Sequence, residues 1–134
     1  MKRRVPGLDA QAREEEETLE GVFLVRVERA SYKHHAQKPF LTLRFQILEP
    51  SQHRDQALSG RLYSTEKALW KLSWFLRDFG YDRDLLARGE IEDRALVGLT
   101  GVLKISRVMV NGRPWLNLES FAPAGNWEEY SGAA

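Results

Sequence analysis

From Gly21 onward the chain alternates apolar and polar positions with period two. Phe23, Val25 and Val27 fall on one side and Leu24, Arg26 and Glu28 on the other, which predicts a strand over about Gly21–Tyr32 with the first set inward. A polar loop at about Ser31–Pro39 carries Lys33, His34, His35 and Lys38. The alternation resumes at Phe40–Glu49: Leu41, Leu43, Phe45 and Ile47 line one side, and Phe40, Thr42, Arg44 and Gln46 the other. One apolar and one polar side is the pattern of a half-buried strand. Pro50–Ser59 reads as a polar, mobile connection and Gly60–Ser64 as a short third strand.

The period then changes. Ala68, Leu69, Leu72, Phe75, Leu76 and Phe79 recur at helical spacing, with Ser64 or Thr65 placed to cap the start and Gly80 the end. Asp82–Leu99 is less regular, with a helical turn expected near Asp84–Ala87. Thr100–Val110 is a fourth strand and Pro114–Ala122 a fifth, with Leu116 and Leu118 inward and Trp115, Asn117 and Glu119 outward. Asn111-Gly112 between them is a two-residue hairpin signal, since both central positions of a type I′ turn need positive φ. Three strands, a helix and two strands predict an all-β barrel with one helix plugging its open end, the five-stranded OB-fold. The domain spans 21–122, between a flexible arm at 1–20 and a short tail at 123–134 in which Trp127 and Tyr130 can pack back.

Composition narrows the class. Length and a 43% hydrophobic content suit one domain. With no Cys, disulfides and thiolate metal sites are excluded. No apolar run approaches the roughly 20 residues of a membrane span, and Met1-Lys2-Arg3-Arg4 is not followed by an apolar leader segment, so a cytoplasmic protein is expected. Net charge is only +1, which is unlike a polycation, but it is unevenly spread. Residues 21–64 hold Arg26, Arg29, Lys33, Lys38, Arg44, Arg54 and Arg61 against Glu28, Glu49 and Asp55, an excess of +4. Local concentration of this kind is what phosphate binding uses.

The outward positions of the first three strands combine cations with flat rings: Arg26, Phe40, Arg44, Arg61 and Tyr63, with Lys33 and Lys38 in the adjoining loop. Lys104 on the fourth strand, Arg113 beside the hairpin turn and Trp115 on the fifth complete the candidate set. Cations hold phosphates, and aromatics stack bases at about 1–3 kcal/mol per base without regard to sequence. Trp70 and Trp74, one helical turn apart and off the main apolar stripe, are either a widened core face or a docking surface for a partner or second copy.

Catalysis has little support. No P-loop and no nucleophile elbow are present. His34 and His35 are adjacent and so point to different sides of an extended loop, a poor metal pair. Glu90, Glu92 and Asp93 fit a solvated loop or a helix N-terminus better than a Mg²⁺ site. No catalytic residue, metal or cofactor is therefore expected.

Residues 20–122 resemble a family of OB-fold proteins from phages and prophages, commonly regarded as single-stranded DNA-binding or recombination-associated. The resemblance lies in Gly21-x-Phe23-x-Val25-x-Val27, Leu41-x-Leu43-x-Phe45-x-Ile47, Gly60-Arg61 with Tyr63, Ala68-Leu69-Trp70-Lys71-Leu72 ending at Phe79-Gly80, and Val97-Gly98. It implies a non-enzymatic, single-stranded DNA-binding module of phage or mobile-element recombination or replication, with Arg61 and Tyr63 as contacts. RNA stays open, since that choice turns on the 2′-hydroxyl. Protein partners of such an assembly and a homo-oligomer are compatible with it. The second reading is a protein-docking subunit built on Trp70, Trp74 and the acidic Glu14–Glu20, and the third a metal-dependent nuclease on the same barrel.

Overall fold

A computed structural model describes Pro6 and residues 20–34 and 37–130. Apart from Pro6 and Glu20, the expected arm lies outside the described residues, as do His35, Ala36 and 131–134. Strands β1 (Gly21–Lys33), β2 (Phe40–Glu49), β3 (Ala57–Tyr63), β4 (Thr100–Val110) and β5 (Arg113–Pro123) form one antiparallel sheet in the order β3-β2-β1-β4-β5. Helix α1 (Leu69–Asp78) follows β3. The single helix expected is joined by short ones: α2 (Arg83–Ala87), α3 (Asp93–Leu96) and α4 (Trp127–Tyr130). Among the described residues no helix is long and apolar enough to cross a membrane.

Alternation sets which face is buried. Phe23, Val25 and Val27 of β1 and Leu41, Leu43, Phe45 and Ile47 of β2 are all buried, as their spacing predicts. The alternation is interrupted by bulges, each inserting one residue and shifting everything beyond it to the other face. Between Val27 and Arg29 the register with β2 shifts, so Glu28 is extra and Arg29 lies outward opposite Arg44. Another shift follows Lys104, where Glu119 is extra on β5. Leu118 therefore points inward as expected, and Phe121, three positions on, is buried too.

The sheet curls but is not closed by a strand ladder. Its edges, β3 and β5, run in the same direction and adjoin where Leu118 lies over Gly60, so close that a Cβ on Gly60 would come to 2.9 Å from the leucine carbons. Helix α1 packs against both edges. It inserts Leu72, Phe75, Leu76 and Phe79 into the core, while Leu69, expected on the same stripe, is 51% exposed in the first turn. Phe75 meets Phe79 at 4.7 Å and Phe121 at 5.4 Å between centroids, and Phe45 completes the cluster. Gly101 leaves room for it: a Cβ there would overlap the Phe79 ring.

Turn chemistry explains the remaining boundaries. Asn111 and Gly112 have φ of 52° and 77°, the left-handed pair that the hairpin needs. Gly80 ends α1 at φ 80°, donating to the Arg77 carbonyl while Tyr81 donates to that of Leu76, a Schellman arrangement. The start of α1 differs from expectation. Its N-cap is Ala68 without a side-chain cap, because a turn over 66–68 separates Ser64 and Thr65 from the first helical residue. The Ser64 hydroxyl is instead engaged with the Tyr32 hydroxyl at 2.6 Å and the Pro39 carbonyl at 3.3 Å. The third strand starts at Ala57 rather than Gly60. A 3₁₀ turn at Ser51–His53 and backbone bonds between Ile47 and both Asp55 and Gln56 pull the connection tight, so pairing with β2 begins at once. The tail packs back through α4, against β1 and β4, leaving Trp127 half-buried and Tyr130 exposed.

Tyr81 ties the segment after α1 to the core. Its side chain is 3% exposed, and its hydroxyl donates to the Glu90 carbonyl at 2.7 Å and accepts from the Glu92 N–H at 2.9 Å.

Two outcomes are expected. Gly101→Ala should lower stability by about 1–3 kcal/mol through overpacking against Phe79, measured by urea denaturation, whereas Gly125→Ala, with open space around it, should not. Tyr81→Phe should cost about 1–3 kcal/mol at neutral pH by leaving the part-buried Glu90 carbonyl and Glu92 N–H without their partner. Burial pushes the Tyr81 phenol above its ordinary value. The unfolded chain therefore ionises first, and this contribution is complete below pH ~10 and is lost as pH rises through the folded value. The stability gap between wild type and Tyr81→Phe should accordingly narrow in strong alkali.

Candidate nucleic-acid interface

The strand register assembles the outer face of β1–β3 row by row. Lys33 lies opposite Phe40, and Phe40 opposite Tyr63; Ser31 opposite Thr42, and Thr42 opposite Arg61; Arg29 opposite Arg44; Arg26 opposite Gln46. Facing residues share a side of the sheet. Arg26, Lys33, Phe40, Arg44, Arg61 and Tyr63 are thus brought together, and Lys38 joins them from the loop. The Arg61 guanidinium sits 4.5 Å from the centre of the Phe40 ring, the Lys38 ammonium 4.8 Å from that of Tyr63, and the two rings are 5.8 Å apart.

Most of these cations lack an acidic partner. Arg44 pairs with Glu28 at 3.0 Å, both half-exposed, so the pair is worth little in water. Arg26 donates to the Gln46 side chain, which in turn donates to Asp55. No described carboxylate pairs with Arg26, Arg29, Lys33, Lys38 or Arg61. Arg29 was missing from the sequence candidates because simple alternation does not foresee the bulge at Glu28. The only signal for it was its membership of the basic stretch.

The other candidates lie elsewhere. Lys104 is opposite Val22, at the far end of β1 from Phe40, and is matched by Glu119 at 3.6 Å. Arg113 and Trp115 pair with Val110 and Val108 near the tip of the β4–β5 hairpin. Val108, Met109, Val110 and Trp115 are all exposed there, on the hairpin whose β5 strand adjoins β3 across the seam. Lys71 of α1 donates to Asn117 at 3.3 Å. Burial lowers the pKa of its ammonium, against an opposing pull from Glu119.

The two helix tryptophans part company. Trp74 stands edge-on to Phe121 at 5.5 Å and donates from its indole N–H to Asp78 at 2.9 Å. Trp70 stacks on Trp74 at 6.2 Å and stays 62% exposed.

Of the acidic loop residues, Glu90 pairs with Arg88 at 3.3 Å and Asp93 has a structural contact. Asp93 opens α3 and accepts the Tyr32 N–H at 3.2 Å, pinning that loop to the end of β1. His34 stands edge-on to Tyr32 at 4.6 Å. His53 packs edge-on to Phe23, its Nδ1 buried without a described partner.

No protein-family model and no curated protein sequence matches this chain.

The different roles of the tryptophans are measurable. Trp74→Ala should destabilise by about 3 kcal/mol, as an aromatic removed from a core contact. Trp70→Ala should change stability by less than about 1 kcal/mol. Thermal denaturation of both variants checks the contrast.

Proposed function

We propose that this chain is an OB-fold barrel that binds single-stranded nucleic acid, DNA in the first instance, on the outer face of β1–β3. The strand order, with β3 and β5 codirectional and adjoining at Gly60 and Leu118, supports the barrel assignment. The binding reading is carried by one observation. Two neighbouring surface rings, Phe40 and Tyr63, each lie beneath a cation, amid arginines and a lysine without acidic partners.

In this proposal Arg26, Arg29, Lys33, Lys38, Arg44 and Arg61 hold phosphates, and Phe40 and Tyr63 stack bases. Every base has a π-face, so such a platform is nearly indifferent to sequence. Arg113 and Trp115 on the β4–β5 hairpin would extend the track across the seam. In this reading the role is non-enzymatic. The setting in phage or mobile-element recombination or replication is taken from the resemblance of residues 20–122.

Fluorescence anisotropy with labelled oligo-dT tests the reading. Affinity should fall linearly on a log–log plot against salt. Arg61→Ala should flatten the slope by about one unit. Tyr63→Ala should weaken binding by about 1–3 kcal/mol without altering that slope. Absence of binding at low salt refutes the proposal.

A further inference from the structure

A cleft of about 370 Å³ opens beside the aromatic end of the basic face, lined by Tyr32, His34, Gly89, Ile91, Glu92 and Asp93. Its volume falls within the roughly 300–1,000 Å³ of small-ligand sites. It shares a wall with the proposed interface. The adjacency runs across the end of β1: Tyr32 packs toward the core, with His34 against its ring and its N–H on Asp93, while Lys33 beside it lies outward opposite Phe40, itself opposite Tyr63. A strand lying on Tyr63 and Phe40 and continuing over Lys33 would have to cross the end of β1 to reach the cleft.

The lining selects the ligand by its chemistry. Two carboxylates repel phosphate, so the guest is not the backbone. The Tyr32 and His34 rings, with Ile91, offer flat apolar and π surface, as an unstacked base requires. Tyr32 is held in place by its hydroxyl on Ser64 and its N–H on Asp93. One Asp93 oxygen is thereby engaged, whereas the Glu92 carboxylate has no partner among the described residues. An ionised carboxylate only accepts hydrogen bonds. It discriminates for the base that presents two adjacent donors along one edge, which is guanine with its N1–H and N2–H₂. Adenine and cytosine present one amino group there, and thymine a single imide N–H.

We propose that this cleft takes one unstacked guanine from the bound strand, with its Watson–Crick edge on Glu92 and its ring against Tyr32 and His34. The inference rests on the single-strand-binding reading above and adds a base preference at one position of an otherwise indifferent track.

The test compares oligo-dT with the same oligonucleotide carrying one central guanine or one central hypoxanthine, which keeps N1–H and lacks the amino group. The guanine strand should bind about tenfold more tightly than oligo-dT, within the range of a bidentate base contact. Hypoxanthine should lose most of that gain. In Glu92→Gln, whose side chain supports no described contact, the guanine-to-thymine ratio should fall to near one while oligo-dT still binds. Equal binding of all three strands by wild type overturns the cleft assignment and leaves the basic face intact. A guanine preference that persists in Glu92→Gln overturns it as well. Failure of every strand to bind at low salt overturns both readings.

Discussion

The fold depends on an aromatic wedge. A five-stranded sheet that curls without a ladder between its edge strands leaves a seam, and an open edge invites pairing with other chains. Here α1 fills the seam from inside with Phe75 and Phe79, which meet Phe45 from β2 and Phe121 from β5. Those two strands are far apart in the order β3-β2-β1-β4-β5, so the wedge ties one half of the sheet to the other. It works because Gly101 has no side chain where the Phe79 ring lies, and because Leu118 can rest on bare Gly60 at the edge. The Schellman turn at Gly80 then delivers Tyr81 into the same core, which holds the loop carrying Glu90 and Glu92.

The polar face follows from how β1 is bent. β1 is central, pairing with β2 on one side and β4 on the other, and the bulge at Glu28 changes its parity midway. Beyond the bulge Ala30 and Tyr32 pack toward the core, while Arg29 stands opposite Arg44. Like charges directly opposite on adjacent strands destabilise a sheet by up to about 1 kcal/mol. The Glu28–Arg44 contact offsets only part of this, since both groups are half-exposed. Packing needs alone would not keep such an arrangement. In the proposed complex an incoming polyanion would relieve it.

Much of this was legible in local periodicity. The inward sets of β1 and β2, the apolar stripe of α1, the Asn111-Gly112 turn and the Gly80 stop depend on near neighbours in sequence. The face around Phe40, Arg61 and Tyr63 was legible for the same reason, since alternation specifies the outward residues wherever no bulge intervenes. Most of what escaped was set by distant partners. Arg29 changed sides because of register with β2, and Phe121 because of the extra residue at Glu119. The helix starts only at Leu69, after a turn over 66–68, so neither Ser64 nor Thr65 caps it. The cleft at Glu92 joins the end of β1 to the α2–α3 connection, a juxtaposition that no periodicity contains.

The state of Phe40 and Tyr63 separates them from the other surface aromatics. Trp70 is stacked on Trp74, which is anchored to Asp78 and Phe121, so that pair is completed within α1 and its neighbour β5. Phe40 and Tyr63 are instead covered by the ends of Arg61 and Lys38. At exposed sites a cation–π contact is worth only about 0.5–1 kcal/mol. That is less than the roughly 1–3 kcal/mol of base stacking. The cations therefore cover the rings in the free protein and would yield to a base as a stronger ring partner. In the proposed complex each cation is released close to where a phosphate arrives. Such binding would then exchange two weak intramolecular contacts for two stronger intermolecular ones.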